Sequence, residues 1–232
     1  KIRCFRYGSN SKIMLSKNIG LYSGAFVPVH KAHMIIAKKC LNFFNLNHLI
    51  FITTGKSAFN KQLTDSEHRI DMLNRAIKDK NFLISNYEIE KSKNGMTSYA
   101  IDTIKSYFNP DNHLFFIMGF DAFKTFNQWK DWNNFLNYCH LIIINRYDDG
   151  FNFNELPNDI RKFLENNEVK YKEELFQKKH KIFCLKIEKM AMESSKIKQK
   201  IQNSEDLLDE LDQEVINYIE EKNLYSIPGQ SK

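Results

Sequence analysis

Hydrophobic and polar positions divide most of the chain into short apolar runs separated by longer amphipathic stretches. The runs at 114–117 and 141–144 are apolar at every position, as expected for strands that are covered on both faces. The predicted strands are Ile19–Ser23, Leu49–Thr53, Phe82–Tyr87, Leu114–Met118, Leu141–Asn145 and Lys181–Ile187. The predicted helices are Ala32–Phe44, Asp65–Lys78, Ser98–Phe108 and Asn154–Glu165. This alternation predicts an α/β protein with a doubly wound parallel sheet, in which ligands bind beyond the carboxyl ends of the strands.

The segments outside this alternation suggest a simple domain organisation. Residues 1–17 are basic and polar without a clear period, and we interpret them as an extension or an edge strand. The main α/β domain is expected to cover 18–190, and a helical C-terminal part is expected over 191–232. Within the main domain, 146–180 is rich in polar and charged residues and is predicted to be an insertion or a surface excursion. No apolar run approaches the length of about 18 residues that a membrane span requires.

Composition narrows the ligands and the compartment. Lys and Arg number 34 against 28 Asp and Glu, giving a formal net charge of +6, which favours anionic ligands such as nucleotides or nucleic acid. The four cysteines are far apart and form no CxxC pair, so neither disulfides nor a zinc site is indicated. A reducing, cytoplasmic location is therefore expected. Because the chain begins at Lys1, an upstream targeting segment remains an alternative.

The strongest chemical signal follows the first predicted strand. The turn at Ser23–Ala25 has little side chain, so an anion can approach its backbone N–H groups closely. Pro28 stiffens the segment before a helix that is predicted to start near His30. His30 and His33 are three residues apart and would share a face at the helix N-terminus, which attracts phosphate. The segment is therefore predicted to bind phosphate and to carry two proton donors, although two solvated helix histidines would show the same spacing.

The same segment resembles the GxFxPxHxxH motif of the nucleotidyltransferase superfamily that includes the nicotinate and nicotinamide mononucleotide adenylyltransferases. Its five fixed positions are filled by Gly24, Phe26, Pro28, His30 and His33. The resemblance implies a Rossmann-like nucleotidyltransferase fold in which the strand-loop-helix cradles the ATP phosphates. It also implies that His30 and His33 are catalytic and stabilise charge on the transferred phosphoryl group. The residues that it assigns to the ATP phosphates here are Ser23, Gly24, Ala25 and Phe26.

A second motif lies in TSYAIDT at 97–103. It is similar to the SYTxDT motif of bacterial-type nicotinate mononucleotide adenylyltransferases, with Ala100 in place of the usual Thr. The resemblance implies that Thr97, Ser98 and Tyr99 bind the mononucleotide near its pyridine carboxylate. The alternative is an ordinary helix N-cap with Asp102 in the first turn.

A third segment, at 119–132, follows the predicted strand Leu114–Met118. Gly119 permits a tight turn, and Asp121 at the end of the strand can accept hydrogen bonds from ribose hydroxyls. Trp129 occupies the position at which the family stacks an indole on the pyridine ring, whereas Trp132 is interpreted as structural. The alternative is that both tryptophans pack on one helix face.

Two further segments carry candidate phosphate ligands by resemblance. Lys61 lies in a stretch that is similar to the family's substrate-phosphate loop, with Lys56 as a competitor for that role. The His68-Arg69 pair that follows is interpreted as part of a helix start.

The segment MESSKIK at 192–198 resembles the family's ISSTxxR motif. Ser194 and Ser195 match the second Ser and the Thr, Glu193 replaces the first Ser, and Lys198 replaces the Arg. The resemblance implies that Ser194, Ser195 and Lys198 hold the ATP phosphates. A plain N-cap before a lysine-rich helix would fit the same residues.

The resemblance implies an enzyme that joins ATP to nicotinate mononucleotide, or to its amide, and releases pyrophosphate, with His30 as the larger kinetic contributor. Mg²⁺ is expected to bridge substrate phosphates while keeping mostly water ligands, so no metal site of protein residues is predicted. The expected partners are ATP and nicotinate mononucleotide, with no specific nucleic acid and no membrane. The sequence does not decide between a monomer and a homo-oligomer. The alternatives are a sister transferase acting on phosphopantetheine or a choline-type phosphate, and a degenerate nucleotide- or nucleic-acid-binding protein.

Overall fold

Within the part of the chain that the structure describes, eight parallel strands form one central sheet. The computed structural model describes residues 4–5, 17–55, 64–93, 99–145, 150–177, 179–188, 190 and 192–226. The sheet order is β1-β4-β3-β2-β5-β6-β8-β7. The strands are β1 (Cys4–Phe5), β2 (Asn18–Gly24), β3 (His48–Thr53), β4 (Phe82–Ser85), β5 (His113–Gly119), β6 (His140–Asn145), β7 (Glu168–Val169) and β8 (Ile182–Lys186).

Helices flank the sheet and connect its strands. The α-helices are α1 (Lys31–Phe43), α2 (Ser66–Ala76), α3 (Tyr87–Lys93), α4 (Ala100–Tyr107), α5 (Phe120–Phe123), α6 (Asn158–Asn167), α7 (Ser194–Gln202) and α8 (Gln213–Glu221). Four short 3₁₀ segments lie at Phe126–Gln128, Trp132–Asn137, Phe153–Glu155 and Lys172–Phe176. Across the described ranges, no helix is long and apolar enough to cross a membrane.

Both faces of the sheet are buried, which explains the continuous apolar strands. Alternate residues along a strand point to opposite faces, and Phe115 and Ile117 belong to a core cluster that also contains residues of α1, α7 and α8. Leu114 and Phe116 belong to the cluster on the other side, which contains residues of α4 and α6 and an aromatic group around Phe126. The predicted doubly wound α/β architecture is confirmed.

The six predicted strands are present, but the third is shorter than predicted: β4 ends at Ser85, and Tyr87 begins the helix α3, which the sequence did not predict. The predicted helices differ mainly at their starts. The fourth predicted helix begins at Asn158 rather than Asn154, since Pro157 favours extended backbone in the residue before it and Leu156 is extended. The third begins at Ala100, because Tyr99 is extended and acts as the N-cap. Residues 4–5 pair with β4 at the sheet edge, so this part of the N-terminal extension is an edge strand.

The described part of 146–180, which was predicted to be an insertion or a surface excursion, connects β6 to β8. Its helix α6 buries Ile160 and Leu164 against the sheet. Its short strand β7 then pairs with β8 and forms the other sheet edge. The charged residues that suggested an excursion cover the outer face of this packed crossover.

The strand order places a crevice at the carboxyl end of the central strand. After β2 the chain builds β3 and β4 on one side, then returns to place β5 on the other side of β2. The connections after β2 and β5 therefore leave in opposite directions. In open α/β sheets such a switch point is where ligands bind.

Candidate active site

The loop from Gly24 to His30 lies at this switch point and connects β2 to α1. Gly24 lies close to the Phe26 ring, since a Cβ there would lie 2.9 Å from Cζ of Phe26. Phe26 itself is buried and has a φ of 52°, a conformation that costs a non-glycine residue about 1 kcal/mol. A cis peptide bond joins Val27 to Pro28. The Phe26 side chain is thus a packing element, so only its backbone is available to a phosphate.

His30 and His33 lie together at the start of α1, as predicted. Their ring centroids are 3.7 Å apart, and the His30 N–H donates to Nδ1 of His33 at 3.2 Å. His30 is 3% exposed as the N-cap, whereas His33 is half-buried against the edge of the Phe26 ring at 5.1 Å. The two imidazoles therefore form one rigid unit at the positive end of the helix dipole.

Part of the hydrogen-bonding capacity at this helix end is already used. The Lys31 N–H donates to the carbonyl of Glu210 at 2.8 Å, and the His33 N–H donates to the carbonyl of His30 at 2.9 Å. A phosphate here would therefore depend on the two imidazoles as well as on backbone N–H groups. This makes the histidines, rather than the helix end alone, the main candidates for anion binding.

Arg69 is buried behind the phosphate loop and bonds three backbone carbonyls. Its Nη1 donates to Thr54 at 2.8 Å and to Ala25 at 3.3 Å, and its Nε donates to Thr64 at 2.8 Å. Burial lowers its pKa, while Tyr225 and Glu88 act in the opposite direction. The prediction that Arg69 is structural at a helix start agrees with these bonds, but the sequence did not indicate its link to the phosphate loop.

Glu88 is a second buried charged residue, and sequence reasoning missed it. It is 5% exposed at the start of α3, and its carboxylate accepts from the Gly55 N–H at 3.4 Å and from Thr103 Oγ1 at 3.2 Å. Burial raises its pKa to about 7, and these hydrogen bonds act against that rise. The only sequence signal was its place directly after an apolar strand, in a segment that otherwise appears solvated.

Two of the predicted mononucleotide residues, Tyr99 and Trp129, are among the described residues. Tyr99 immediately precedes α4, and Trp129 follows the 3₁₀ segment Phe126–Gln128, which comes after β5 and α5. Tyr99 caps α4, is 38% exposed, and lies under the Lys130 ammonium, whose Nζ is 4.6 Å from the ring centroid. Trp129 is half-buried, with its ring edge-on to Phe116 at 6.3 Å and to Phe126 at 5.6 Å. An indole held this way is fixed in orientation, as stacking requires. Lys61, Lys56, Thr97 and Ser98 lie outside the described residues.

Trp132 is half-buried, like Trp129, and its ring packs against the same core. Its ring lies 5.1 Å from Phe163 of α6 and 5.9 Å from Phe126. Both tryptophans lie at the ends of short 3₁₀ segments, not on a shared α-helix face.

Gly119 and Asp121 lie at the carboxyl end of β5, next to the switch point. Gly119 is exposed, and a Cβ there would meet nothing within 4 Å, so the protein itself does not require a glycine. Asp121 is exposed in α5 and lies 3.5 Å from Lys124, which also pairs with Glu155 at 2.5 Å. The φ of Gly119 is −74°, so the tight turn predicted here does not require a glycine either.

Helix α7 carries the predicted phosphate ligands from the C-terminal part. Ser194 and Ser195 are its first two residues, and Ser195 is exposed. Glu193 is the N-cap and lies 3.2 Å from Lys196, which offsets an acidic charge at this position. Lys198 is half-buried with its Nζ 5.3 Å from the centroid of the Tyr225 ring. Tyr225 also acts to raise the pKa of Arg69, which bonds Ala25 in the phosphate loop. The C-terminal residues around Tyr225 therefore lie near this loop.

A histidine pair at the switch point, with hydroxyl and ammonium groups on a later helix, suits transfer of a phosphorus group without a covalent intermediate. The family model described as cytidylyltransferase-like matches residues 21–200, which places the protein among the nucleotidyltransferases. A protein of Vesicomyosocius okutanii named "Probable nicotinate-nucleotide adenylyltransferase" is 34% identical over 214 residues, which cover 88% of this chain and 95% of the relative. One of the same name from Clostridium botulinum strain Alaska E43 is 32% identical, covering 90% and 98%. The chain belongs to the nicotinate-nucleotide adenylyltransferase family.

A solved structure shows the same fold. It is the Plasmodium falciparum nicotinic acid mononucleotide adenylyltransferase complexed with NaAD, which aligns with a TM-score of 0.68 and 20% identity. The alignment covers 90% of this chain and 97% of that chain. At this identity the likeness supports the arrangement of strands and helices and does not extend to individual side chains.

Proposed function

We propose that the protein transfers the adenylyl group of ATP to nicotinate mononucleotide, forming the dinucleotide and pyrophosphate in NAD biosynthesis. The observation that carries this proposal is the His30–His33 pair at the N-terminus of α1, next to the switch point of the sheet. The family of the chain and the names of its relatives support the same reaction.

In this reaction an oxygen of the mononucleotide phosphate attacks the α-phosphorus of ATP. The bond between that phosphorus and the oxygen bridging to the β-phosphate breaks, and pyrophosphate leaves with the electron pair. His30 and His33 would donate hydrogen bonds to the oxygens on which negative charge increases. Ser194, Ser195 and Lys198 would hold the departing phosphates, and no side chain needs to act as a nucleophile.

Mg²⁺ would arrive with the ATP phosphates and lower their repulsion toward the incoming nucleophile. Among the described residues, no group of three His, Cys, Asp or Glu side chains is placed to hold a metal ion. Mg²⁺ commonly keeps most of its water ligands and binds proteins through few side chains, so substrate phosphates would supply the rest of its ligands.

The mononucleotide would bind on the other side of the switch point. Trp129 would stack on its pyridine ring, and Tyr99 with the neighbouring Thr97 and Ser98 would surround the pyridine carboxylate. Lys61 would reach its phosphate. Ser23, Gly24, Ala25 and Phe26 would line the ATP phosphates, and Gly119 and Asp121 would approach a ribose.

We also propose that the protein works in a reducing, cytoplasmic compartment. Cys40, Cys139 and Cys184 are free thiols, and burial raises the pKa of Cys40 to about 12. Thiols of this kind are inert core residues that gain nothing from an oxidising environment.

Transfer of a label from ATP tests the proposed reaction directly. ATP labelled at the α-phosphate should pass its label to a dinucleotide when nicotinate mononucleotide is present, whereas label at the γ-phosphate should appear in pyrophosphate. Phosphopantetheine in place of the mononucleotide is the matched control and should accept no label. Label transfer to phosphopantetheine alone would assign the chain to the sister transferases.

A further inference from the structure

Two buried charged side chains lie behind the proposed site, and neither is among the residues proposed to touch a substrate. Arg69 is 2% exposed and Glu88 is 5% exposed. Burying a charge is costly, and apolar residues of similar volume would often stabilise a core at least as well. Stability alone therefore does not explain Arg69 and Glu88, and the loops and helices that they connect indicate their role.

Arg69 connects the loop after β2 to the loop after β3. One guanidinium nitrogen donates both to Ala25 in the phosphate loop and to Thr54 just beyond β3. Its Nε holds Thr64, the residue before the N-cap of α2. Arg69 uses two separate nitrogens of its planar guanidinium for these carbonyls, whereas a lysine ammonium carries its three donors on one nitrogen and lacks that shape.

Glu88 connects Gly55, in the loop after β3, to α4 on the mononucleotide side of the proposed site. Its two carboxylate oxygens accept from Gly55, which follows Thr54, and from Thr103 in the middle of α4. The loop packs directly on α3 here, because a Cβ at Gly55 would lie 2.5 Å from the Glu88 carbonyl oxygen. Thr103 is fully buried, so its hydroxyl has no route to solvent.

These bonds form one continuous connection from the phosphate loop to α4, the helix that Tyr99 caps. It runs from Ala25 through Arg69 to the loop at 54–55, and from there through Glu88 to Thr103. We propose that Arg69 and Glu88 are positioning residues that fix the phosphate loop relative to the N-terminus of α4, and thereby fix ATP relative to the mononucleotide. The inference rests on the proposed function, because that function assigns one substrate to each end of the connection.

The position of each residue along the connection determines which substrate it affects. Thr103 lies at the α4 end of the connection, the end assigned to the mononucleotide. Thr103→Val should therefore weaken the binding of nicotinate mononucleotide about 3- to 10-fold, the effect expected from loss of a buried hydrogen bond. Affinity for ATP alone should change less than twofold. Arg69→Lys should show the opposite preference, weakening ATP binding roughly 10-fold or more through loss of the fork.

The two effects should not be independent in turnover. The reaction requires ATP and the mononucleotide to be held at a fixed distance from each other, and either single variant already disturbs that distance. The double variant Arg69→Lys/Thr103→Val should therefore lose less in kcat/KM than the product of the single losses. Coupling of this kind between residues that share no direct contact is what a double-mutant cycle measures. The cycle is run on the full chain at a temperature at which all variants are folded.

Tyr107→Phe is the matched control. It removes another buried hydrogen bond from the same helix, between Tyr107 and Ser85 Oγ at 3.0 Å, and that bond is not part of the connection. We expect this variant to lose stability without a change in either substrate affinity. Thr103→Ser, which keeps the hydroxyl, should restore the affinity that Thr103→Val loses.

Three results would overturn the inference. The first is an equal loss of affinity for both substrates in Thr103→Val. The second is that Thr103→Val and Tyr107→Phe have the same substrate affinities. The third is that the loss in kcat/KM of the double variant equals the product of the losses of the two single variants.

If Thr103→Val does not fold, Glu88→Gln tests the same connection, because the amide keeps the shape of the side chain but replaces one of its two acceptor oxygens with a donor. Glu88 lies in the middle of the connection, so this variant should weaken the binding of both substrates, and unchanged affinities would overturn the inference. Failure of the wild-type protein to form any dinucleotide would instead contradict the proposed function, so the two failures are distinguishable.

Discussion

At the scale of single residues, the site depends on side chains whose freedom has been removed by packing. His30 is buried at the N-cap and linked through its N–H to His33, whose ring lies against Phe26. Donors fixed in this way can face the charge that develops during transfer without first reorganising. We therefore expect these histidines to contribute more to turnover than to substrate binding.

His30→Ala tests this expectation. Removal of a fixed donor to the transition state should lower kcat roughly 10²- to 10³-fold, with a much smaller change in the KM for ATP. His33→Ala should cost less, because His33 is only half-buried and also orients His30. Steady-state rates are compared on variants whose thermal unfolding shows them folded, and near-normal turnover of His30→Ala would remove its assigned role.

Trp129→Ala tests the stacking role on the mononucleotide side. The substitution should raise the KM for nicotinate mononucleotide about 5- to 10-fold, the equivalent of about 1 to 1.5 kcal/mol of lost aromatic contact. The KM for ATP should hardly change. Trp132→Phe is the control, because Trp132 packs on Phe163 and is expected to affect stability only. Equal increases in both KM values for Trp129→Ala would contradict stacking on the pyridine.

At the scale of elements, three histidines meet at the end of the sheet opposite the site. His113 begins β5, His140 begins β6, and His180 precedes β8; the His140 ring lies 6.1 Å from His113 and 4.9 Å from His180. Burial lowers the pKa of all three, that of His140 to about 3. The folded protein thus holds these imidazoles neutral.

This cluster predicts loss of stability in acid. The ordinary histidine pKa is 6.5, so below that pH the unfolded chain binds protons that the folded His140 does not take up until about pH 3. Stability is full above pH 6.5, and the free energy of unfolding falls by about 1.4 kcal/mol per pH unit below it for His140 alone. Urea unfolding at pH 7, 6 and 5 measures the slope. His140→Gln, which keeps an acceptor for the Lys181 N–H, should have a shallower slope, and an equal slope would contradict this origin.

The elements show how far the sequence could predict the structure. Fully apolar runs identified the central strands because both faces of those strands are covered. Gly24, Pro28 and the spacing of His30 and His33 identified the phosphate loop, because all of these residues lie within one short segment of the chain. The connection through Arg69 and Glu88 could not be predicted, since its partners lie 15 to 44 residues apart and meet only after the sheet has formed. Glu88 in particular looks like an ordinary solvated helix residue until Thr103 is brought beside it.

At the scale of the whole molecule, the strand order determines where the reaction can occur. The switch at β2 brings Gly24 and Gly119 to one crevice, although 94 residues separate them in the chain. Helices on both faces leave the carboxyl edge as the open edge next to that crevice. The formal net charge of +6 then favours the anionic substrates there.

The same net charge raises the alternative of nucleic-acid binding, which a salt titration can test. We expect a 20-nucleotide RNA of mixed sequence to bind weakly and to lose its binding steeply with salt, without affecting turnover at 150 mM NaCl. The reason is that scattered lysines give a general attraction and no specific contacts. Fluorescence anisotropy measures binding, with ATP as the competitor. Tight RNA binding that persists at 150 mM NaCl and is displaced by ATP would favour a nucleic-acid role.

Pyrophosphate release from ATP and Mg²⁺, with nicotinate mononucleotide and its amide supplied in parallel, is the most direct test of the proposed adenylyl transfer. We expect release that requires ATP and a mononucleotide together, with the acid form preferred. His30→Ala should abolish most of that release. No release with either mononucleotide, from folded protein that still binds ATP, would contradict adenylyl transfer by this protein.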